Sequence, residues 1–405
     1  MATIHIRNIG PISDTGKITI TSVMLFMGKQ SSGKSTLMKI LSYCRWIEKK
    51  LMVMGNDWLY QYTHYQRFYK ELKKFHRLDD QFFSEQSFIE YESDIIRVVL
   101  NGGRSNVKID KKASFAQNRY NSKLSFIPSE RNLVSAIKSI DRAYRSNELD
   151  SLFNFIFEWG EARENYTAAN PLGLKVSDNM QYFYNQKDGS DSIRMTDIGQ
   201  IFSTFYASSG VQSALPIEVM ANYLSSIVGT AASVTKSSLQ QLLQNILKEN
   251  RSETLDLDKV IKNEGLKVLN YQNIQLFIEE PEQNLFPESQ KQLILSLISA
   301  IKLASNKTSH SSFLTLTTHS PYVVSAINVL MKASASFGVD AEKTSNIISS
   351  EYILPPHSIS AYYINKGVLE PLVDNEINII SGMEMDSVSD WVDDKINKLN
   401  EIIYG

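Results

Sequence analysis

The sequence predicts an α/β fold: a mixed sheet flanked by helices, with helical and hairpin insertions. Three observations lead there. An alternating apolar opening runs into a glycine-rich loop and then a long amphipathic helix. Two short, nearly all-apolar segments, Ile274–Ile278 and Phe313–Thr317, each end in charged or polar chemistry, as strands buried on both faces of a sheet do. Strand and helix patterns alternate along the chain.

Composition sets the outer bounds. The chain has 405 residues, 42 Lys and Arg against 44 Asp and Glu, and 42% hydrophobic residues. This is ordinary globular usage, and it excludes bulk disorder. At roughly 100–200 residues per domain, two or three structural units are expected. No run reaches the ~18 consecutive apolar residues of a membrane span, and MATIHIRN has neither a basic leader nor an apolar core, so no signal peptide is expected. Cys44 is the single cysteine, which rules out an internal disulfide or a cysteine zinc site and points to the cytoplasm. Residues 1–80 carry thirteen Lys/Arg against six Asp/Glu, and residues 367–405 two against nine. Such a gradient marks either solvated faces or surfaces for charged partners.

In chain order, Ile4, Ile6, Ile9 and Ile12, then Ile18, Ile20 and Val23–Met27, read as strands broken at Gly10-Pro11 and Asp14–Gly16. Leu37, Ile40, Leu41, Cys44, Ile47 and Leu51 are at helical spacing over about 34–54. Residues 57–77 are a second helical candidate, rich in aromatic and basic side chains. Strand-like pieces at 88–91 and 95–100 accompany Asn101-Gly102-Gly103, a hairpin signal. Residues 131–165 and 211–228 read as helical, with a hairpin around Lys187–Ser190 between them. The polar stretch 233–270 reads as a surface insertion. Residues 386–404 read as an amphipathic helix opening on Ser387-x-x-Asp390, with Val388, Trp391, Val392, Leu399 and Ile403 in a stripe.

The chemistry concentrates in a few places. Gly28-Lys29-Gln30-Ser31-Ser32-Gly33-Lys34-Ser35-Thr36 satisfies G-x-x-x-x-G-K-[ST], entered by an apolar strand and left by a helix. The glycines let successive N–H groups face a phosphate, and the helix N-terminus adds positive dipole. Lys34 would neutralise the β- and γ-phosphates and Ser35 would coordinate Mg²⁺, so ATP with Mg²⁺ is the expected ligand. Glu279-Glu280 end the strand Ile274–Ile278. Here Glu279 is expected on Mg²⁺ and Glu280 as the general base for water; the alternative is a solvated acidic turn before the 287–303 helix, to which Glu282 and Glu288 are assigned. His319, after Phe313–Thr318, is placed to reach a γ-phosphate or hold the attacking water. Ser208-Ser209-Gly210-Val211-Gln212 opens a helix either as a plain cap or as a phosphate contact. His64–Arg77 interleaves aromatics with bases, and is either an amphipathic helix or a nucleic-acid grip. Arg131 either reaches a phosphate or ties down the fold.

These elements, in this order, resemble the ABC-type ATPases, specifically the soluble branch of SMC, Rad50 and OLD proteins. IHIRNIGPI is similar to that branch's first strand. The resemblance implies a bilobed head, with residues 1–45 and 265–365 as nucleotide-binding lobe, 46–264 as an inserted region carrying the signature loop, and 366–405 as a C-terminal hairpin and acidic helix. It implies ATP between two copies of the chain, with Ser209 and Gly210, flanked by Ser208 and Gln212, on the partner's γ-phosphate, and His319 as the switch histidine. Gln61, Gln66, Gln81 and Gln86 all remain open as the Q-loop glutamine. With Phe126–Asn132 and the short acidic end, the pattern looks most like the stand-alone ATPase subunits of bacterial anti-phage systems, of the PARIS type first and the Septu type second. That implies a homo-oligomeric sensor controlling a separate effector, a Toprim-type nuclease, released by a phage-encoded trigger protein. The alternative is a DNA-repair or DNA-handling ATPase similar to RecF, binding nucleic acid through residues 1–80. The signature departs from transporters in having Ser-Ser-Gly, the second motif starts with Glu279 rather than Asp, and no long coiled-coil arm or nuclease set is present in the sequence.

Overall fold

The computed structural model describes residues 2–115, 118–137, 140, 150–232, 266–374, 376–381 and 387–404. The α/β class holds, as a large mixed sheet flanked by helices. Strands β1 (Thr3–Ile9), β2 (Ile12–Asp14), β3 (Ile18–Thr19) and β4 (Val23–Gly28) come first. They are followed by β5 (Phe83–Glu92), β6 (Ile96–Asn101), β7 (Lys108–Lys111) and β8 (Asn121–Ile127). A separate four-stranded antiparallel sheet holds β9 (Leu172–Gly173), β10 (Met180–Asn185), β11 (Ser190–Met195) and β12 (Ile201–Ser203). Then come β13 (Tyr271–Glu279), β14 (Phe313–Thr318), β15 (Ile359–Asn365) and β16 (Val368–Pro371), and last an antiparallel pair of short strands, β17 (Val373–Asp374) and β18 (Ile379–Ile380).

The twelve-stranded sheet runs β7-β6-β5-β1-β2-β16-β15-β4-β14-β13-β8, with β3 on β1. Its β15-β4-β14-β13-β8 section is wholly parallel, and this section positions the site. Strand β4 shows why its sequence is apolar at every position. Val23, Leu25 and Met27 face one core while Met24 and Phe26 face the other, all with no exposed surface. Burying each such side chain contributes about 1.5–3 kcal/mol.

One face is covered by α1 (Lys34–Met54), α2 (Asn56–Thr63) and α3 (Arg67–His76). The expected single helix over 57–77 is therefore two, broken where Tyr65 and Gln66 take positive φ. The short α4 (Leu133–Ala136), with α5 (Ser151–Arg163) and α6 (Ser209–Ile227), packs on the other face. So do α8 (Pro287–Asn306) and α9 (Pro321–Phe337), with α7 (Leu266–Leu269) lying between α6 and β13 in the chain. The smaller α10 (Ala341–Ile347) and α11 (Ser387–Tyr404) complete the helices named here.

Asn101-Gly102 does not join β5 to β6; those strands pair from Phe88–Asn101 to Glu92–Arg97, and the glycines lead from β6 towards β7. There Gly103 is required, since a Cβ would sit 2.5 Å from the Ser84 carbonyl. The β10–β11 hairpin forms around 186–189 as expected. Of the polar stretch 233–270, residues 233–265 lie outside the described set, as do most of 138–149 and Asp386. In α11, Leu399 and Ile403 of the expected stripe are exposed, as is Ile402, while the side chains of Val388 and Trp391 lie outside the described set.

Candidate active site at the carboxyl edge of the parallel strands

Register decides which residues meet. Met27 of β4 pairs with Thr318 of β14, Thr317 with Glu279 of β13, and Ile278 with Ile127 of β8. The phosphate loop, Glu279-Glu280, His319 and Pro128–Arg131 therefore leave one sheet edge side by side. Open parallel sheets bind ligands at this edge, beyond the strands' carboxyl ends.

The loop 28–36 is shaped for an anion. Gly28 and Gly33 sit at φ +145 and +110 and Ser31 at φ +60. A Cβ on Gly28 would approach the Ile364 carbonyl to 2.8 Å, and one on Gly33 would meet Ile12 at 2.9 Å. Helix α1 begins with no side-chain cap and no acidic residue in its first turn. In contrast, α6 and α9 are capped by Ser208 and Ser320. The uncapped amides of α1 are what a phosphate would need. Lys29, Gln30 and Ser31 form the exposed rim, while Gly33, Lys34 and Thr36 are buried and Ser35 is half-buried. Lys34 folds back, its Nζ donating to the carbonyls of Gly28 and Lys29 at 2.9 Å each. Burial depresses its pKa to about 8, against the pull of the Glu280 and Glu282 carboxylates.

Ser35 and Glu279 line one cavity of about 140 Å³, with Lys39, Arg77, Ser129 and Glu130. Glu279 is 5% exposed; its Oε2 accepts from the Ser129 amide at 3.3 Å and its Oε1 is buried without a partner. A buried carboxylate oxygen without a partner, on a residue that lines the same small cavity as Ser35, fits Mg²⁺, which takes one or two protein oxygens and completes its shell with phosphates and water. Among the described residues, no three His, Cys, Asp or Glu side chains form a metal site by themselves.

Glu280 has φ +43 and is turned towards His319, whose Nε2 lies 3.3 Å from its Oε1. That contact, with help from Lys34 and Arg131, holds the Glu280 carboxyl below its ordinary pKa in spite of partial burial. Glu282 departs from the expectation of a solvated acid. Its Oε1 accepts from the His319 amide at 2.7 Å and the Thr318 hydroxyl at 2.8 Å, and its Oε2 is buried without a partner. Burial raises its pKa. Glu288 is as expected, exposed and paired with Lys291 at 2.6 Å.

Arg131 ties down the fold. It has no exposed surface, and donates to the carbonyls of Glu279 and Glu280 at 2.7 Å, Ser213 at 2.9 Å and Pro128 at 3.3 Å. Burial lowers its pKa to about 10, so it stays charged at neutral pH. Through it the start of α6 is locked to the end of β13. Asn284 adds a bond from its Nδ2 to Ser213 Oγ at 3.1 Å. At the head of α6, Ser208 and Ser209 are exposed, Gln212 donates to the Thr204 and Phe205 carbonyls, and Gly210 lies so close to the Asn284 carbonyl that a Cβ would sit at 2.8 Å. The Ser208-Ser209 end is thus presented to solvent.

Two of the other histidines have structural partners: His5 bonds Asp14 at 2.7 Å, and His76 is buried against Ser42 at 3.1 Å. In the 64–77 segment, Phe68 and Tyr69 are core, and Arg67, Lys73 and Arg77 are paired with Glu71, Asp80 and Asp150. Two contributors were not singled out by sequence reasoning: Glu282 as a half-buried clamp, and Ser129, whose amide meets Glu279.

No protein-family model matches the chain, and no curated protein does. Among solved structures it is similar to the SMC head domain from Thermotoga maritima, at 10% identity and TM-score 0.36 over 91% of this chain and 97% of that one. It is also similar to the dimeric structure of a bacterial ABC transporter cassette (11% identity, TM-score 0.31, 91% and 96%). A third likeness is the recombination mediator RecF with bound nucleotide analogue (13%, TM-score 0.30, 92% and 97%). No helix among the described residues is long and apolar enough to cross a membrane.

Proposed function

We propose that this chain is an ABC-type ATPase head that binds ATP with Mg²⁺ at the carboxyl edge of β4, β14 and β13 and hydrolyses it. The observation that carries the reading is the meeting, on one edge, of an uncapped phosphate loop, the Ser35–Glu279 cavity and the Glu280–His319 contact. Lys34 exchanges its two loop carbonyls for phosphate oxygens. Ser35 and Glu279 hold Mg²⁺, which would neutralise charge on the transferred phosphoryl group. Glu280, kept ionised, accepts the proton of the attacking water, and His319 orients that carboxylate. The exposed Ser208-Ser209 end serves a second copy of the chain. Tyr206, Phe286 and Tyr322 are exposed beside the signature loop, the turn after Glu280 and His319, an apolar rim that self-association through ATP would cover.

At the finer level, the reading is a sensor or scaffold of a bacterial anti-phage system, of the PARIS type, controlling a separate Toprim-type nuclease and answering a phage-encoded trigger. The order of the motifs and the short acidic C-terminal helix support it. The DNA-handling alternative would require Arg67, Lys73 and Arg77, which are ion-paired at the surface, to exchange their carboxylate partners for phosphates.

Equilibrium binding of ATP with Mg²⁺ to the wild type, Lys34→Ala and Glu280→Gln tests the nucleotide site. Binding by wild type and Glu280→Gln with loss in Lys34→Ala is expected. Equal binding by all three would remove the site from this edge.

A further inference from the structure

Glu282 is the last residue and the third acid of the run Glu279-Glu280-Pro281-Glu282, where a solvated acid would be ordinary. Its surroundings are different. Oε1 collects two donors from the neighbouring strand end, the His319 amide at 2.7 Å and the Thr318 hydroxyl at 2.8 Å. Oε2 is buried and has no partner. The same Thr318 oxygen accepts from the Ser320 amide at 3.0 Å, and Ser320 Oγ donates to Gln290 Oε1 at 2.5 Å while capping α9. One carboxylate thus fastens the turn after β14 to the turn after β13. The segment it holds carries the imidazole that meets Glu280 Oε1 at 3.3 Å.

A carboxylate oxygen buried without a partner, as Oε2 is, is costly. A half-satisfied carboxylate persists where its two accepted bonds fix something useful. Charge-assisted hydrogen bonds of this kind are shorter and about twice as strong as neutral ones, so the His319 backbone is held firmly where a free turn would leave it to wander.

We infer that Glu282 is a positioning residue for hydrolysis: it sets the His319 backbone so that the ring stays against Glu280. This rests on the ATPase reading above. It predicts that Glu282 acts only through His319.

The test is a double-mutant cycle on steady-state ATP turnover with wild type, Glu282→Ala, His319→Ala and the double variant, alongside Glu282→Gln. A misplacement of about 1 Å at a catalytic contact costs ~10²-fold, so Glu282→Ala is expected to lower kcat by ~10–10²-fold. The KM for ATP should stay within about twofold, the mark of an interaction made in the transition state rather than in binding. Glu282→Gln, which keeps a carbonyl acceptor, should recover most of the rate. In the His319→Ala background, Glu282→Ala should cost less than about twofold. Unchanged kcat in Glu282→Ala overturns the inference, and so does the same fractional loss with and without His319. If Glu282→Ala does not fold, Thr318→Val removes one of the two donors, and undiminished turnover there overturns it equally. Absence of turnover in the wild type would instead defeat the ATPase reading, and the inference with it.

Discussion

Lys34 shows how burial and charge set a ligand's terms. Its pKa of about 8 arises from desolvation, only partly offset by Glu280 and Glu282, against an unfolded value of 10.5. Phosphate needs the ammonium, so binding favours the protonated form. ATP affinity should hold below pH 8 and fall as pH rises through it, by up to about tenfold per unit. Titration calorimetry between pH 7 and 9.5 checks this; affinity rising with pH would contradict the sign. Arg131 teaches the converse, since its guanidinium serves four backbone carbonyls. Removing it leaves buried acceptors that each cost about 1–3 kcal/mol. Arg131→Ala should therefore lose roughly 3–5 kcal/mol in denaturant unfolding, and a loss below about 1 kcal/mol would show that water replaces it. Cys44 is buried with its thiol pKa pushed well up. Native protein should leave it unreactive towards thiol reagents, with reaction appearing only on unfolding.

Among the elements, what the sequence made legible follows from how local each signal is. The phosphate loop, α1 and the apolar cores of β13 and β14 carry their patterns within a few residues, and α1 begins and ends where its periodicity says. Strand β8 was not legible, because Asn121, Ser122 and Ser125 are buried polar residues on a strand whose partner lies about 150 positions away. Two of its polar side chains meet α5: Ser125 donates to Glu158 at 2.6 Å, beside a Lys123–Glu158 pair at 2.8 Å. The signal available was the ending, since Phe126-Ile127-Pro128-Ser129 leaves an apolar strand for polar chemistry as β13 and β14 do. Glu282 escaped for a similar reason: its donors come from 36 and 37 residues further on. At the head of α6 the fit is steric. Gly210→Ala places a Cβ 2.8 Å from the Asn284 carbonyl, and the strain should cost about 1–3 kcal/mol. Thermal unfolding should show that loss while ATP binding to the isolated chain persists; a stable, unchanged variant would mean that the α6 start is free to move.

For the molecule as a whole, the near-neutral net charge concealed a basic start and an acidic end, and the two now read differently. Of the thirteen bases of the start, Lys34 is engaged within the chain at the loop, and Arg67, Lys73 and Arg77 are engaged in pairs to Glu71, Asp80 and Asp150. The acidic end keeps Asp394 between Lys395 and Lys398, on a helix whose Leu399, Ile402 and Ile403 remain exposed. Five parallel strands gather chemistry from residues 28, 128, 279 and 319 onto one edge, a convergence that only the assembled sheet produces. Whether that edge performs hydrolysis is decided most directly by single-turnover release of phosphate from ATP with Mg²⁺, wild type against Glu280→Gln. Loss of the general base should slow release by ~10²–10⁴-fold, with ATP retained uncleaved on the variant. Equal rates in the two proteins would contradict the assignment of Glu280 and of this edge as the catalytic site.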